Sequence, residues 1–449
     1  MIDSWKDANR AVVLAKIETE YGVDSGPEAA LNAILTTKPI VKPIFDRVAR
    51  NFVTPTLSPL ADKVAGASIE VTFDVEARCP DDPGEPPEIS PLLRASGMAE
   101  TITPGVSVEY SPVSKDRESC TIYVYLDGIL HKIRGCRVSW KYVGDVNKYG
   151  IWSFTVRGMY ANPVDEAMVD PAYVEKLPEI IAGATVQTLA RPGIVSGFPA
   201  LAVGSTATNV AHGAVAIKIG GTAYSIAANA VGVALGAVSY TIPQNKWGVF
   251  AFQAGSDLAV DCVAAPGNEE GGYATAKAAQ DALPATPSNH VRLGSVTVKS
   301  SNAGGFVVGA TSLDDASVTA FFGNGEVWHP VINKFELDIA NSFFRRDDIT
   351  QAEGWREIVI ESRKPAGSID PEAVSVAKQN LWRYFKEGIP SKLTFGSGLA
   401  GQDSRIAFIV PRAIYSDISY GERGPIRAFS LPFACERTAG DDELSILFE

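Results

Sequence analysis

Alternating apolar and polar residues set the character of this chain. In "ASIEVTFDVEAR", Ile69, Val71, Phe73 and Val75 fall on one side and Glu70, Thr72, Asp74 and Glu76 on the other, which predicts a half-buried strand. "SCTIYVYLDGILHKIRG" predicts a hairpin turning at Asp127-Gly128, a dipeptide suited to a two-residue turn. "YGIWSFTVRGMYANP" predicts the next strand, stopped by Pro163. Helical signals are few. "ANRAVVLAKIETEYG" has partial helical periodicity ending at Gly22, so residues 1–33 read as a short helix and an irregular arm. "PEISPLLRASGMAE" predicts a short helix closing at Gly97.

From Asn333 the pattern returns. "NKFELDIANSFF" predicts one strand, with Phe335, Leu337 and Ile339 against Glu336 and Asp338, and "GWREIVIESRKP" a second. "DPEAVSVAKQNLWRYFKEG" predicts a helix with Asp370 as N-cap, Pro371 at its first position and Gly388 at its end. "RIAFIVPRAIYSDISYGERGPIRAFSLPFACER" reads as strand, turn and strand. Setting Ile151 against Ile426 brings Phe154 onto Phe429 and Val156 onto Leu431, and aligning the second strands puts Asp74 opposite Glu361. The same order of elements is therefore used twice. The expected organisation is a first copy with an N-terminal arm over residues 1–188, an inserted β-rich domain over 189–331 and a second copy over 332–449. The insert is rich in Gly, Ala, Val, Thr and Ser. It holds a Gly-Gly hairpin in "AIKIGGTAYSI", strands in "KWGVFAFQ", "LAVDCVAA", "VRLGSVTVKS" and "SVTAFF", and a helix in "GYATAKAAQDALPATP". An exposed loop is where such an insertion is best tolerated.

The totals narrow the function. At about 150 residues per domain, 449 residues suit three domains. Apolar residues make up 46% and charged residues 20%, an ordinary globular composition. No apolar run approaches the ~18 residues of a spanning helix. The N-terminal stretch is too short in apolar residues, and too acidic, for a signal peptide. The net charge of −12 argues against an outer surface built to grip nucleic acid, because such binding rests on Lys and Arg displacing counterions. The five cysteines, Cys79, Cys120, Cys136, Cys262 and Cys435, include no CxxC pair and read as buried reduced thiols. His131, His212, His290 and His329 are scattered. "GSGLAGQDS" at 396–404 lacks the Lys of a phosphate-binding loop and reads as a turn. Asp441, Asp442 and Glu443 read as a solvated tail. No catalytic, metal or cofactor constellation emerges. What does emerge is acidic alternation: Glu70, Asp74 and Glu76 in the first copy, and Glu336, Asp338, Glu357 and Glu361 in the second. A solvated sheet face explains it as well as a functional one does.

Several stretches resemble a known family. "LAKIETEYGVDSGPEAALNAIL", "PLLRASGMAETITPGVSVEYSPVS" and "TIYVYLDGILHKIRG" resemble the first domain of bacteriophage tail tube proteins. "FELDIANSFFRRDDI", "SRKPAGSIDPEAV", "YSDISYGERGPIRAFSLPFA" and "GDDELSI" resemble the second domain of the duplicated type, and the insert looks like an accessory module of phage structural proteins. The resemblance implies a mainly β protein with a few helices: two tail-tube-like sandwich or barrel domains, each with a flanking helix, plus an outward-projecting insert. It implies a virion protein, assembled in the bacterial host cytoplasm, whose trimeric, pseudo-hexameric rings stack into a tube. The tube would carry tape-measure protein and double-stranded DNA without binding them specifically. Tail terminator, baseplate and sheath proteins would be further partners, with no membrane, cofactor or enzyme activity. The seven acidic residues then become candidates for the lumen wall, where they would hold DNA off over about 8 Å of unscreened range. Loop residues Thr56, Leu57, Asp62 and Lys63, with Arg345, Arg346, Asp347 and Asp348, become candidates for ring-to-ring stacking. The competing expectations are a single-ring terminator or baseplate component, and a carbohydrate-binding adhesin using Trp247, Tyr273 and Trp328.

Overall fold

The computed structural model of the chain describes residues 6–58, 60–80, 82–174, 178, 180–190, 193–197, 199–220, 222–236, 238–323, 325–376, 379–397, 405–438 and 440–449. The architecture is mainly β, with three short α-helices among these residues. Strand β1 (Ala11–Ile17) stands where the sequence predicts a helix. It is buried on both faces, Val13 and Ala15 toward the main core and Val12 and Leu14 toward Tyr123, Tyr125 and Leu130. A strand buried on both sides has no alternation, so its apolar run imitates a buried helix. A long hairpin follows, β2 (Ile40–Val48) with β3 (Lys63–Glu76), then helix α1 (Ser90–Ala95), ended with Gly97 at φ 83°. Next come the hairpin of β4 (Met98–Thr103) with β5 (Ser107–Pro112), and strands β6 (Cys120–Leu126), β7 (Ile129–Asp145) and β8 (Ile151–Met159). The β6–β7 turn is the expected one, with Asp127 and Gly128 at φ 45° and 86°.

Strand β9 (Thr185–Ala190) leads into the insert, and β10 (Glu326–Trp328) leads out of it. The insert has cores of its own, around Phe250, Phe252 and Phe306 and around Ile217 and Leu293. Its four-stranded sheet runs Val260–Ala264, Trp247–Gly255, His290–Ser300, Val318–Gly323. The expected hairpin pairs Ile219 with Thr222, and the expected helix, α2 (Ala276–Asp281), is capped by the Thr275 hydroxyl.

Beyond the insert, the predicted strand Asn333–Phe344 is two strands, β11 (Lys334–Asp338) and β12 (Asn341–Asp347), separated by Ala340 at φ 48°. They pair with β14 (Ala366–Ile369) and β13 (Trp355–Arg363) respectively. The predicted helix from Asp370 is shorter: α3 spans Leu381–Glu387, capped by the Asn380 side chain and closed by Gly388 in the left-handed conformation. Asp370 is occupied elsewhere, accepting from the Asn333 and Lys334 amides at 2.9 and 2.7 Å and from Arg423. The chain ends with β15 (Ser391–Gly396), β16 (Ile406–Tyr415), β17 (Ser419–Arg423), β18 (Ile426–Cys435) and β19 (Ser445–Phe448). The acidic run before β19 is not a solvated tail: Asp441 accepts from Ser114 and pairs with Arg363 at 3.0 Å, and Glu443 pairs with Arg363 at 3.1 Å.

Strand pairing sets two parts of the chain in parallel. One β-bulge lies between Cys120 and Ile122 where β6 meets β7, and its double lies between Ser391 and Leu393 where β15 meets β16. Cys136 therefore matches Ala413, and carrying the ladder onward matches Val138 with Tyr415 and Val156 with Phe433. That is two residues from the alignment the sequence suggests, and it matches Asp74 with Asp370 rather than Glu361. β9 pairs with β15 as β1 pairs with β6, and β10 pairs with β9 as Ala33–Ile34 pairs with β1. One core runs through both repeats and is dominated by Trp140, Tyr142, Trp152, Phe335, Phe395 and Phe408.

Candidate assembly surfaces

The pairings join eight strands of both repeats edge to edge in the order β2, β3, β8, β7, β11, β14, β18, β17. One face of this sheet packs on the core; the other is polar where β3, β8 and β11 alternate. Glu70, Asp74, Glu76, Glu336 and Asp338 all project from the polar face, opposite the buried Ile69, Val71, Phe73, Phe335 and Leu337. The face is mixed in charge. Glu70 pairs with Arg157 at 2.8 Å, Glu76 with Arg78 at 2.9 Å, and Asp338 stands opposite Lys141. Lys334 and Lys141 both reach Glu336; burial pushes its carboxyl up, but the two ammonium groups outweigh that and hold it below the usual range. Glu357 and Glu361 lie apart, on the β12–β13 hairpin, Glu357 paired with Arg346 at 2.7 Å and Glu361 exposed.

The stacking candidates divide similarly. Thr56, Leu57 and Asp62 sit exposed on the β2–β3 loop, whereas Lys63 opens β3 opposite Val48. Arg345, Arg346 and Asp347 belong to β12 rather than to a loop, and Asp348 caps the following turn through Thr350. Arg345 is held by Asp46 of the β2–β3 hairpin and by Asp347, so it locks the two hairpins together. Beside the candidate Leu57 stand further apolar tips that the sequence reading passed over, Phe52 and Val53 on the same loop and Ile349 on the other; Val53, Leu57 and Ile349 are essentially fully exposed. Their signal was an apolar side chain standing in a polar loop.

The seam between repeats was not anticipated either. β7 and β11 pair from Asp145 with Lys334 to Lys141 with Asp338. Behind that ladder Tyr142, fully buried, lies 4.4 Å from the Phe408 ring and 6.3 Å from Phe335. The β12–β13 hairpin folds over β7: Asn341 donates to the Ser96 and Val138 carbonyls at 2.8 and 3.0 Å, Arg137 donates to the Ile358 carbonyl, and the Ile358 amide donates to the Tyr21 hydroxyl. A second ladder pairs β5 with β19. At the two ends of the eight-strand sheet, β2 pairs only with β3, and β17 only with β18, among the described residues.

The four histidines lie apart; burial lowers the His131 and His329 pKa values. Among the described residues no three His, Cys, Asp or Glu side chains gather as a metal site, and no helix is long and apolar enough to cross a membrane. None of the five cysteines is in a disulfide. Trp328 is buried, Tyr273 is half-buried, and Trp247 stacks on Phe321, which is largely exposed. A cavity of about 480 Å³ between the insert and α3 is lined by residues including Arg292, Trp328 and Tyr384. Most of "GSGLAGQDS" lies outside the described residues.

A family model described as phage tail tube protein matches residues 8–238, just over half of the chain. The chain belongs to the phage tail tube protein family. Membership makes it a structural component of a phage virion tail, in a family that self-assembles into a tube and is not enzymatic. The family match runs from just before β1 through β9 and ends between β9 and β10. No curated protein matches the chain.

Proposed function

We propose that three copies of this tail tube protein close into a pseudo-sixfold ring, and that rings stack into the conduit for tape-measure protein and DNA. One observation carries the reading: the two repeats are already joined edge to edge through β7 and β11, while the same two kinds of edge stand open at β17 and β2. An open sheet with unpaired edges is prone to uncontrolled association, and closure removes the hazard. A head-to-tail contact that repeats by rotation produces a ring. Fusing two repeats makes every second contact intramolecular and raises its effective concentration.

In this reading the polar face lines the lumen, with Glu70, Asp74, Glu76, Glu336 and Asp338 on the wall. Their pairing with Arg157, Arg78, Lys141 and Lys334 leaves little free positive charge to hold a duplex. Glu357 and Glu361 extend the wall along the hairpin. The β2–β3 and β12–β13 loops, with Thr56, Leu57, Asp62, Lys63 and Arg345–Asp348, form the stacking surface, and their apolar tips are the anchors. The second repeat starts at β9, so the insert interrupts it at 191–325 and projects outward. Negative-stain electron microscopy of the purified chain tests this: stackable rings or rods with threefold knobs are expected. Single rings that never stack favour a terminator-like role, and a lone monomer at all concentrations overturns the proposal.

A further inference from the structure

We infer that the contact between chains is a register-matched copy of the seam within the chain, with Tyr420 of one chain set against Val41 of the next. This rests on the ring reading above and goes further by naming the surfaces. The register follows from the pairings alone. Tyr142 opposes Trp152 on β8, and Tyr420 opposes Phe429 on β18; Trp152 and Phe429 are equivalent, so Tyr142 and Tyr420 are too. Val41 opposes Val71, and Leu337 opposes Gly367, their equivalent position, so Val41 matches Leu337. Within the chain Tyr142 pairs across the seam with Leu337. Between chains Tyr420 therefore pairs with Val41, and Ser419 with Lys42.

Exposure supports the partner. Tyr142 is fully buried at the seam; Tyr420 is 57% exposed in the single chain. Their distances to the neighbouring ring are alike, Tyr142 lying 5.0 Å from Trp152 and Tyr420 5.2 Å from Phe429, though the rings meet at 61° and 32°. Tyr420 sits in an exposed aromatic patch with Trp382, 5.7 Å away. Opposed to it in the proposed contact is Val41, half-buried against the core on a strand whose outer edge is open. The occupant of the patch is thus a second copy of this chain, since the edge that complements it is already demonstrated on β11.

The test is a disulfide. Ser419→Cys and Lys42→Cys, both at exposed positions, are combined in the full chain and oxidised mildly in the assembled fraction. The expected result is a reducible covalent ladder ending at the closed trimer, absent from either single variant. Rings by microscopy without that crosslink overturn this register and leave the ring reading standing; no rings from the unaltered chain overturn both. Tyr420→Ala is the second measurement. At least a tenfold loss of assembled material with unchanged near-ultraviolet circular dichroism supports the contact, and undiminished ring formation overturns it.

Discussion

Leu337 and Val41 hold the same place in two copies of one sheet, yet Leu337 is completely buried and Val41 only half so. The strands around them differ in a way that explains why. β11 and the residue after it carry Phe335 and Ile339, and the Ile339 amide donates to the Trp140 carbonyl across the seam at 3.1 Å. At the matching positions β2 and the residue before it carry Pro43 and Pro39, which have no amide hydrogen to donate. Proline on an open edge blocks indiscriminate strand addition while leaving carbonyl acceptors in place. The tethered edge is closed by its own chain as it folds and needs no such guard. The open edge must wait for a partner. Its charges are poorer too: Asp145 lies opposite Lys334 at the seam, whereas in the proposed contact Arg423, already engaged by Asp370 and Glu372, would face Lys38. In the proposed ring the within-chain seam is permanent, and the open edge stays silent until assembly.

The sharpest way to break this contrast is to truncate the buried tyrosine. Tyr142→Ala removes an aromatic ring from the shared core and is expected to cost about 3–5 kcal/mol, the range for large aromatic truncations. Urea unfolding should show it as a lower midpoint, with the two repeats still unfolding together because one core serves both. A loss under about 1 kcal/mol would mean that the seam is not the load shared by the repeats.

A second difference concerns charge in the core. Glu88 lies just before the α1 N-cap, and its counterpart before the α3 N-cap is Gln379. Burial pushes the Glu88 carboxyl up to about 7, against the opposing influence of Arg78 and the Leu35 backbone. The folded chain therefore prefers the protonated form. The stability this contributes is full below the ordinary glutamate range and is lost as pH rises through about 7. Glu88→Gln gives the first repeat the neutral amide of the second. It should flatten the stability profile between pH 5 and 7 and raise stability at pH 8 by on the order of 1–3 kcal/mol. Thermal melts across that range check it; an unchanged slope would remove Glu88 as its source.

Tyr420→Ala sharpens the contrast from the open side. Because Tyr420 is largely exposed, truncation should change single-chain stability by less than about 1 kcal/mol, against the several kcal/mol at Tyr142. Chemical denaturation of the two variants side by side measures the gap. Equal losses would mean that the patch around Trp382 is a core of its own rather than an uncovered contact.

The alternation of β3, β8 and β11 told truly which residues face the core, because each of these strands has one wet face. The same rule failed at Ala11–Ile17, where Val12 and Leu14 meet a second cluster and no polar face exists. It failed at Asp370 for another reason: a capping carboxylate was spent on the Asn333 and Lys334 amides, far away in sequence. The acidic candidates were found by local pattern, but their cationic partners were not. Arg157 reaches Glu70, and Lys141 reaches Glu336, only because the sheet brings distant strands together. The seam was illegible for the same reason. Nothing local in "KFELD" says that it closes on Lys141–Asp145.

The smallest effect tests the guard itself. Pro43→Val restores one amide on the open edge, at the position where Ile339 donates across the closed seam. Single-chain stability should fall slightly, by about 0.4–1 kcal/mol, because the unfolded chain regains freedom that proline denied it. Assembly should respond in the opposite direction. One further backbone hydrogen bond per contact contributes about 0.5–1.5 kcal/mol net, which corresponds to a roughly two- to tenfold lower concentration for the onset of ring formation. Light scattering against protein concentration reads that onset. A variant that is less stable alone and yet assembles more readily separates guarding from packing, because a proline kept only for fit would weaken both when replaced. If the onset does not move, the outer edge of β2 lies outside the contact, and the contrast with β11 has another origin.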